Sequence, residues 1–225
     1  MPKHSFLLVS FEFPPTVGGI SSYVVSLAHE LTALGHSVTV LTRSAIVGVN
    51  DAQYPFKVQR IRVLHAASRL FWPLNGLRYA FHLFRLASTH QHIVLFDFLA
   101  HLWTAFYITV FRLTYTLVIC GSEANAYRAN RLWHRLTTRL LRNARYIICI
   151  SHFTKSVLLR AFPELVTDRA QVVYVPVRFP PRTSSHNLQL SLRASLGIPP
   201  ENLVFVQVAR LTPRKGHSAM LAALA

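Results

Sequence analysis

Residues 5–34 narrow the choice of folds more than any other stretch of the chain. Residues 5–11 form a short apolar run, Phe13-Pro14-Pro15-Thr16-Val17-Gly18-Gly19 a turn, and Ile20, Val24, Leu27, Leu31 and Leu34 then recur at spacings of four and three. The run has the pattern of a buried strand, and the recurrence marks one face of a helix that Gly35 stops. Two adjacent glycines where a strand feeds a helix let a ligand approach the backbone. The free N–H groups of the helix's first turn favour an anion there. The same residues also suit a tight strand-to-helix connection with no ligand. The spacing is not Gly-x-Gly-x-x-Gly, so a dinucleotide fingerprint is not supported.

The rhythm continues. Strand-like runs at 37–42, 58–64, 92–96, 115–119, 146–150 and 171–175 alternate with helical stretches at 70–90 (broken near Pro73), 98–112, 126–142 and 153–162. Most of the strands are apolar throughout, which predicts an α/β fold with a parallel sheet covered on both faces. Such sheets bind ligands at the carboxyl ends of their strands, so Gly18-Gly19, Gly121-Ser122 and Ser151 are expected along one edge. Residues 93–111 approach a membrane-spanning length with only Asp97 and His101 as strongly polar interruptions. Asp97 would be costly in lipid, and a strand, a turn and a helix fit the rhythm better.

From Pro176 the texture turns to that of a linker, with Pro180, Pro181 and a polar run to Asn187. A short helix is expected at 188–196, a strand at 203–208, a loop at 209–216 and a helix from 217. The organisation read from this is a first domain at 1–178, a linker at 179–190 and an incomplete start of a second domain at 191–225. The last segment is too short for a self-sufficient core.

Lys and Arg number 24 against 8 Asp and Glu, a net charge of +16. Such a surplus points to a phosphate-bearing partner or, since 20 of the 24 are Arg, to a compositional bias toward arginine. Arg128, Arg131, Arg135, Arg139 and Arg142 share one arc of a helix, with Leu132, Trp133, Leu136 and Leu140 beside them. On the 70–90 helix Asn75, Arg78, His82 and Arg85 form a narrow polar stripe among Leu77, Phe81, Leu83, Phe84 and Leu86. These helices read either as a solvated arginine face plus a core helix, or as a surface resting on an anionic membrane. Nucleic acid is not expected as a partner. Trp72, Phe81 and Trp103 lie in apolar runs rather than among basic residues. Cys120 and Cys149 have no metal-ligand spacing, and two thiols without a signal peptide imply a cytoplasmic protein, with residence at the inner face of the membrane as the peripheral variant.

Three stretches carry a family resemblance: 13–20; Cys120-Gly121-Ser122-Glu123 with 144–151; and 196–200 with Val206-Gln207-Val208-Ala209-Arg210-Leu211-Thr212-Pro213-Arg214-Lys215-Gly216. In order and spacing they resemble the family 4 glycosyltransferases of GT-B architecture, whose two domains are Rossmann-like. The resemblance implies a retaining transfer of a sugar from a nucleotide-diphosphate-sugar to a glycan or lipid-linked acceptor, without an obligatory metal or a cofactor beyond the donor. It implies that Gly18 and Gly19 form the loop facing phosphates and acceptor, that Arg210 and Lys215 grip the donor diphosphate, and that Gly121, Ser122, Glu123 and Ser151 line the cleft. Two departures stand out. Cys120 occupies the family's usual His position, where a thiol cannot reproduce imidazole's hydrogen bonding; it either acts near the transferred sugar or simply ends a strand. The family's Asn-Gly after the last first-domain strand is absent, Pro176 being followed by Val177-Arg178. The family's pair of glutamates with seven residues between them is also missing, because no two of the eight acidic residues are eight apart. Transfer by this chain alone is therefore expected to be weak or absent. The alternatives are a non-catalytic, truncated module that binds a membrane or partner, and a GT-B epimerase.

Overall fold

Seven parallel strands in the order β3-β2-β1-β4-β5-β6-β7 form a single sheet. In this computed structural model the described residues are 2–44, 48–62, 72–111, 113–121, 131–163, 169–176, 186–209 and 211–224. The strands are β1 (Ser5–Val9), β2 (Ser37–Arg43), β3 (Lys57–Ile61), β4 (His92–Leu95), β5 (Tyr115–Ile119), β6 (Tyr146–Cys149) and β7 (Ala170–Val172). The helices are α1 (Gly19–Ala33), α2 (Trp72–Ala87), α3 (Phe98–Phe111), α4 (Arg131–Asn143), α5 (His152–Ala161), α6 (His186–Ser195) and α7 (His217–Leu224). Met1–Val177 and Arg178–Ala225 form two compact units.

Side chains alternate across a strand, and here both faces are covered, which is why the central strands read as apolar runs. Leu7, Val9, Leu95, Leu117 and Ile147 pack with Tyr79 and Leu83 of α2, Trp103 of α3, Leu140 and Leu141 of α4 and Leu158 of α5. Leu8, Val38, Val40, Val94 and Val118 face the other way, against Tyr23, Val24 and Ala28 of α1. The register holds β1 between β2 and β4, with Leu8 level with Val40 and Val94. Residues 93–111 are the strand, turn and helix of this core; among the described residues no helix is long and apolar enough to cross a membrane.

Pro73 lies in the first turn of α2, where its missing N–H costs nothing, and the expected break before it falls on residues outside those described. Three expectations need correction. The expected polar stripe of α2 does not exist as such: Asn75 is buried, while Leu77, Phe81 and Phe84 face outward beside Arg78 and Arg85. Helix α6 begins at His186, inside the stretch expected to be linker. Residues 203–208 form no strand, and Leu203, Val206 and Val208 are exposed. Strands need a ladder partner, and the described residues of the second unit supply none.

Candidate functional site

The chain leaves β1 toward β2 and later enters β4 on β1's other side, so a crevice opens at the carboxyl ends of β1 and β4. Asp97 ties the two sides together. Its Oδ2 accepts a hydrogen bond from the Phe11 backbone N–H just beyond β1, and its Oδ1 accepts from the Ala100 N–H at 3.0 Å, capping α3. Beneath it His101 is fully buried and its Nε2–H donates to the Leu95 carbonyl at 3.0 Å. Burial pushes its pKa down, with the Leu95 hydrogen bond and the Asp97 charge opposing, so the neutral ring is the native form.

The loop from Ser10 to Gly18 is anchored from β3. Arg60 donates to the Pro14 carbonyl at 2.9 Å and to the Arg43 carbonyl at 3.2 Å. It also pairs through two nitrogens with Asp51, at 2.7 and 2.8 Å, and stands over the Phe13 ring. A fork of planar donors suits this, since one guanidinium can serve a carboxylate and two carbonyls at once. The loop delivers Gly18 to the N-cap position of α1, where it has no side chain to cap with and its carbonyl accepts from the Ser22 N–H. A Cβ at Gly19 would meet nothing within 4 Å, and one at Gly18 only the Glu12 carboxylate at 3.5 Å. Neither glycine is demanded by packing within the chain. Their bare backbone adds no side chain in front of the first-turn N–H groups, and the Glu12 carboxylate lies beside Gly18.

Farther along the same edge, Cys120 ends β5 half-buried, its thiol donating to the Phe96 carbonyl at 3.7 Å. The thiol is close enough to Tyr23 to contribute, after burial, to raising that phenol's pKa. Gly121 follows with φ 154°, a conformation that side-chain-bearing residues rarely adopt. Ser151 follows β6, but its hydroxyl is committed to α5, accepting from the Thr154 N–H at 3.1 Å as an N-cap. In the second unit, Lys215 closes a one-turn 3₁₀ helix, Pro213–Lys215, that ends at Gly216 in the left-handed region. Its ammonium-bearing side chain is exposed, and its carbonyl accepts from Gln207 Nε2 at 2.6 Å. Ser122, Glu123, Arg128 and Arg210 lie outside the described residues, and Arg131 is placed in α4 by its backbone. Arg135, Arg139 and Arg142 are exposed along α4, opposite buried Leu140 and Leu141. Among the described residues no group of three His, Cys, Asp or Glu side chains could hold a metal.

Sequence reasoning missed Arg60 and the double role of Asp97. An aspartate directly before an apolar helical run is an N-cap signal and could have exposed half of that role. Nothing local in the sequence announces Arg60, whose partners come from three distant segments.

The family described as Glycosyltransferase Family 4 matches residues 17–178. The chain belongs to Glycosyltransferase Family 4. This Family 4 chain is 28% identical over 229 residues to one of the polypeptides of the phosphatidylinositol N-acetylglucosaminyltransferase of Homo sapiens, covering 95% of this chain and 43% of that protein. Among solved structures it is similar to Anabaena Alr3699/HepE in complex with UDP and glucose, with a TM-score of 0.73, 17% identity, and 98% of this chain and 57% of that one covered. It is also similar to sucrose-phosphate synthase from Thermosynechococcus elongatus, with a TM-score of 0.71, 17% identity, and 99% and 59% covered. At this identity the structural likeness speaks for the fold. The chain spans about half the length of these relatives.

Proposed function

We propose that this chain contributes the acceptor side and part of the donor side of a retaining glycosyltransferase that uses a nucleotide-diphosphate-sugar. The observation that carries the reading is the glycine-built start of α1 at the crevice between β1 and β4, where a Cβ at Gly19 would meet nothing. Glycosyl transfer leaves two phosphates with growing negative charge. A helix N-terminus stabilises that charge without reorganising. Arg210 and Lys215 of the second unit would supply fixed cations to a donor diphosphate. Gly121, Ser122 and Glu123 would line the cleft around the transferred sugar. Cys120, whose thiol already donates to Phe96, serves there as a small strand-terminal residue rather than as a replacement for imidazole. The complex of HepE with UDP and glucose supports a uridine-nucleotide donor, and the name of the human relative supports a lipid-linked acceptor. The exposed arginines of α4 would rest on an anionic membrane, bringing such an acceptor within reach.

Uridine diphosphate titrated into the isotopically labelled chain tests the donor site. Amide shifts should move at Gly18, Gly19 and Lys215, and shifts confined elsewhere would refute the assignment. In a preparation that shows sugar transfer, Gly19→Val should abolish it with an unchanged thermal midpoint, because the added side chain enters open space. Full turnover in that variant sinks the phosphate-loop role.

A further inference from the structure

Tyr23 is nearly sealed inside the first unit, yet its hydroxyl is not used there. The residue is 4% exposed, its ring stands edge-on to Phe96 at 5.5 Å, and among the described residues none hydrogen-bonds its phenol. Other buried tyrosines are served. The Tyr79 hydroxyl meets Thr104 Oγ1 at 2.7 Å, and the Tyr115 hydroxyl donates to the Leu140 carbonyl at 2.7 Å. A buried donor without an acceptor costs stability, so each such group in a fold calls for a reason.

The place of Tyr23 supplies one. It stands one turn, about 6 Å, into α1 from Gly19. Helical side chains lean toward the N-terminus of their helix, which carries this phenol back toward the Gly18–Gly19 end. There it lies beside the carboxyl ends of two strands. Phe96, which it touches, follows β4, and the Cys120 thiol, which follows β5, is near enough to act on the phenol electrostatically. That thiol is a weak donor and already gives its hydrogen to the Phe96 carbonyl. Where the family usually carries His, this chain therefore has a spent thiol, with an unspent phenol next to it.

We propose that the Tyr23 hydroxyl reads the transferred sugar, donating a hydrogen bond to one of its hydroxyl groups. The inference rests on the nucleotide-sugar reading above and deepens it by naming a residue that selects the sugar. Position favours the sugar over the phosphates. A diphosphate seated at the helix start leaves its sugar to extend toward β4 and β5, where the phenol stands. Burial raises the phenol's pKa, with Cys120 adding to the effect, so the group remains a neutral donor around pH 7. A buried donor of this kind discriminates strongly, because a sugar lacking the matching hydroxyl leaves it unpaired.

Titration of the isotopically labelled full chain with UDP, UDP-glucose and UDP-N-acetylglucosamine tests the assignment. All three should shift the Gly18 and Gly19 amides, whereas the Tyr23 ring signals should move only with a sugar nucleotide. Tyr23→Phe removes a single oxygen. It should leave the affinity for UDP at the parent's value and weaken the preferred sugar nucleotide about three- to tenfold. Thermal unfolding gives a second readout. A phenol that the fold itself uses would lower the midpoint on becoming Phe, whereas loss of an unpartnered hydroxyl should hold or raise it. Parent-like affinity of the variant for both sugar nucleotides would overturn the role of Tyr23 and leave the phosphate site standing. A lowered midpoint with UDP and sugar nucleotides weakened alike would overturn it too, assigning the hydroxyl to folding. Gly18 and Gly19 amides that no nucleotide moves would refute the phosphate reading, and the role of Tyr23 with it.

Discussion

Asp97 spends its two carboxylate oxygens on two different chain segments, and that makes it the residue on which the crevice most depends. One oxygen takes the Phe11 N–H at the exit of β1, and the other takes the Ala100 N–H at the start of α3. Asp97→Ala removes a helix cap, worth about 0.5–2 kcal/mol, and strands a buried backbone donor at about 1–3 kcal/mol. A destabilisation of about 2–4 kcal/mol is expected in urea unfolding. Asp97→Asn keeps one acceptor and should lose roughly half as much. Arg60 does comparable work for the loop above. Arg60→Ala should cost about 2 kcal/mol and speed amide exchange across residues 11–18, since charged hydrogen bonds contribute about 1.5–3 kcal/mol and this pair is partly solvent-exposed. Arg60→Lys should recover little of the loss, because an ammonium cannot reach the Pro14 and Arg43 carbonyls and Asp51 together.

At the scale of elements, periodicity locates nearly every strand and helix of the first unit, because each spans a continuous stretch whose burial is written in its apolar spacing. It fails where a partner decides the outcome. Residues 203–208 are as apolar as β5, yet only a neighbouring strand makes such a run a strand. Residues 70–90 spell a helix with a polar seam only if polarity means exposure. Asn75 is buried, and His82 is engaged by Gln59 at 2.9 Å from β3, so tertiary contacts invert the pattern. Helix α4 is legible because its arginines share one exposed arc while Leu140 and Leu141 turn to the core, although Leu132 stays exposed beside the arginines. That sorting has a direct check: Leu140→Ala, at a site only 2% exposed, should cost about 2–5 kcal/mol. Arg139→Ala should stay within about 0.5 kcal/mol in the same denaturant series. As for the candidate site, glycines and loop cations are readable as motifs. The clasp of Arg60 and Asp97 is not, since it exists only after β1, β3 and β4 are brought into one sheet.

The whole molecule should lose stability in acid, for two separable reasons. Burial lowers the pKa of His101, with its Leu95 hydrogen bond and the Asp97 charge opposing. His92 is lowered by burial and then by His4, Arg145 and His36, and His82 by burial and then by Arg85 and Arg78. A histidine depressed in the folded state binds more protons when unfolded, so its contribution is intact above the unfolded value of about 6.5 and is lost as pH falls below it. His82 and His92 are largely solvated, which leaves His101 as the main term. The second reason is collective: the chain already carries +16, and further protonation in acid adds to the charge by which the compact state repels itself. Salt separates the two, because it screens surface repulsion and leaves a buried ring untouched. Urea midpoints followed at high salt from about pH 7.5 to about pH 5 should therefore still fall, by up to ~1.4 kcal/mol per pH unit for one proton. His101→Gln keeps an N–H donor for the Leu95 carbonyl, starts lower at neutral pH and should show a much flatter profile. A variant profile as steep as the parent's would move the acid sensitivity away from the ring beneath Asp97.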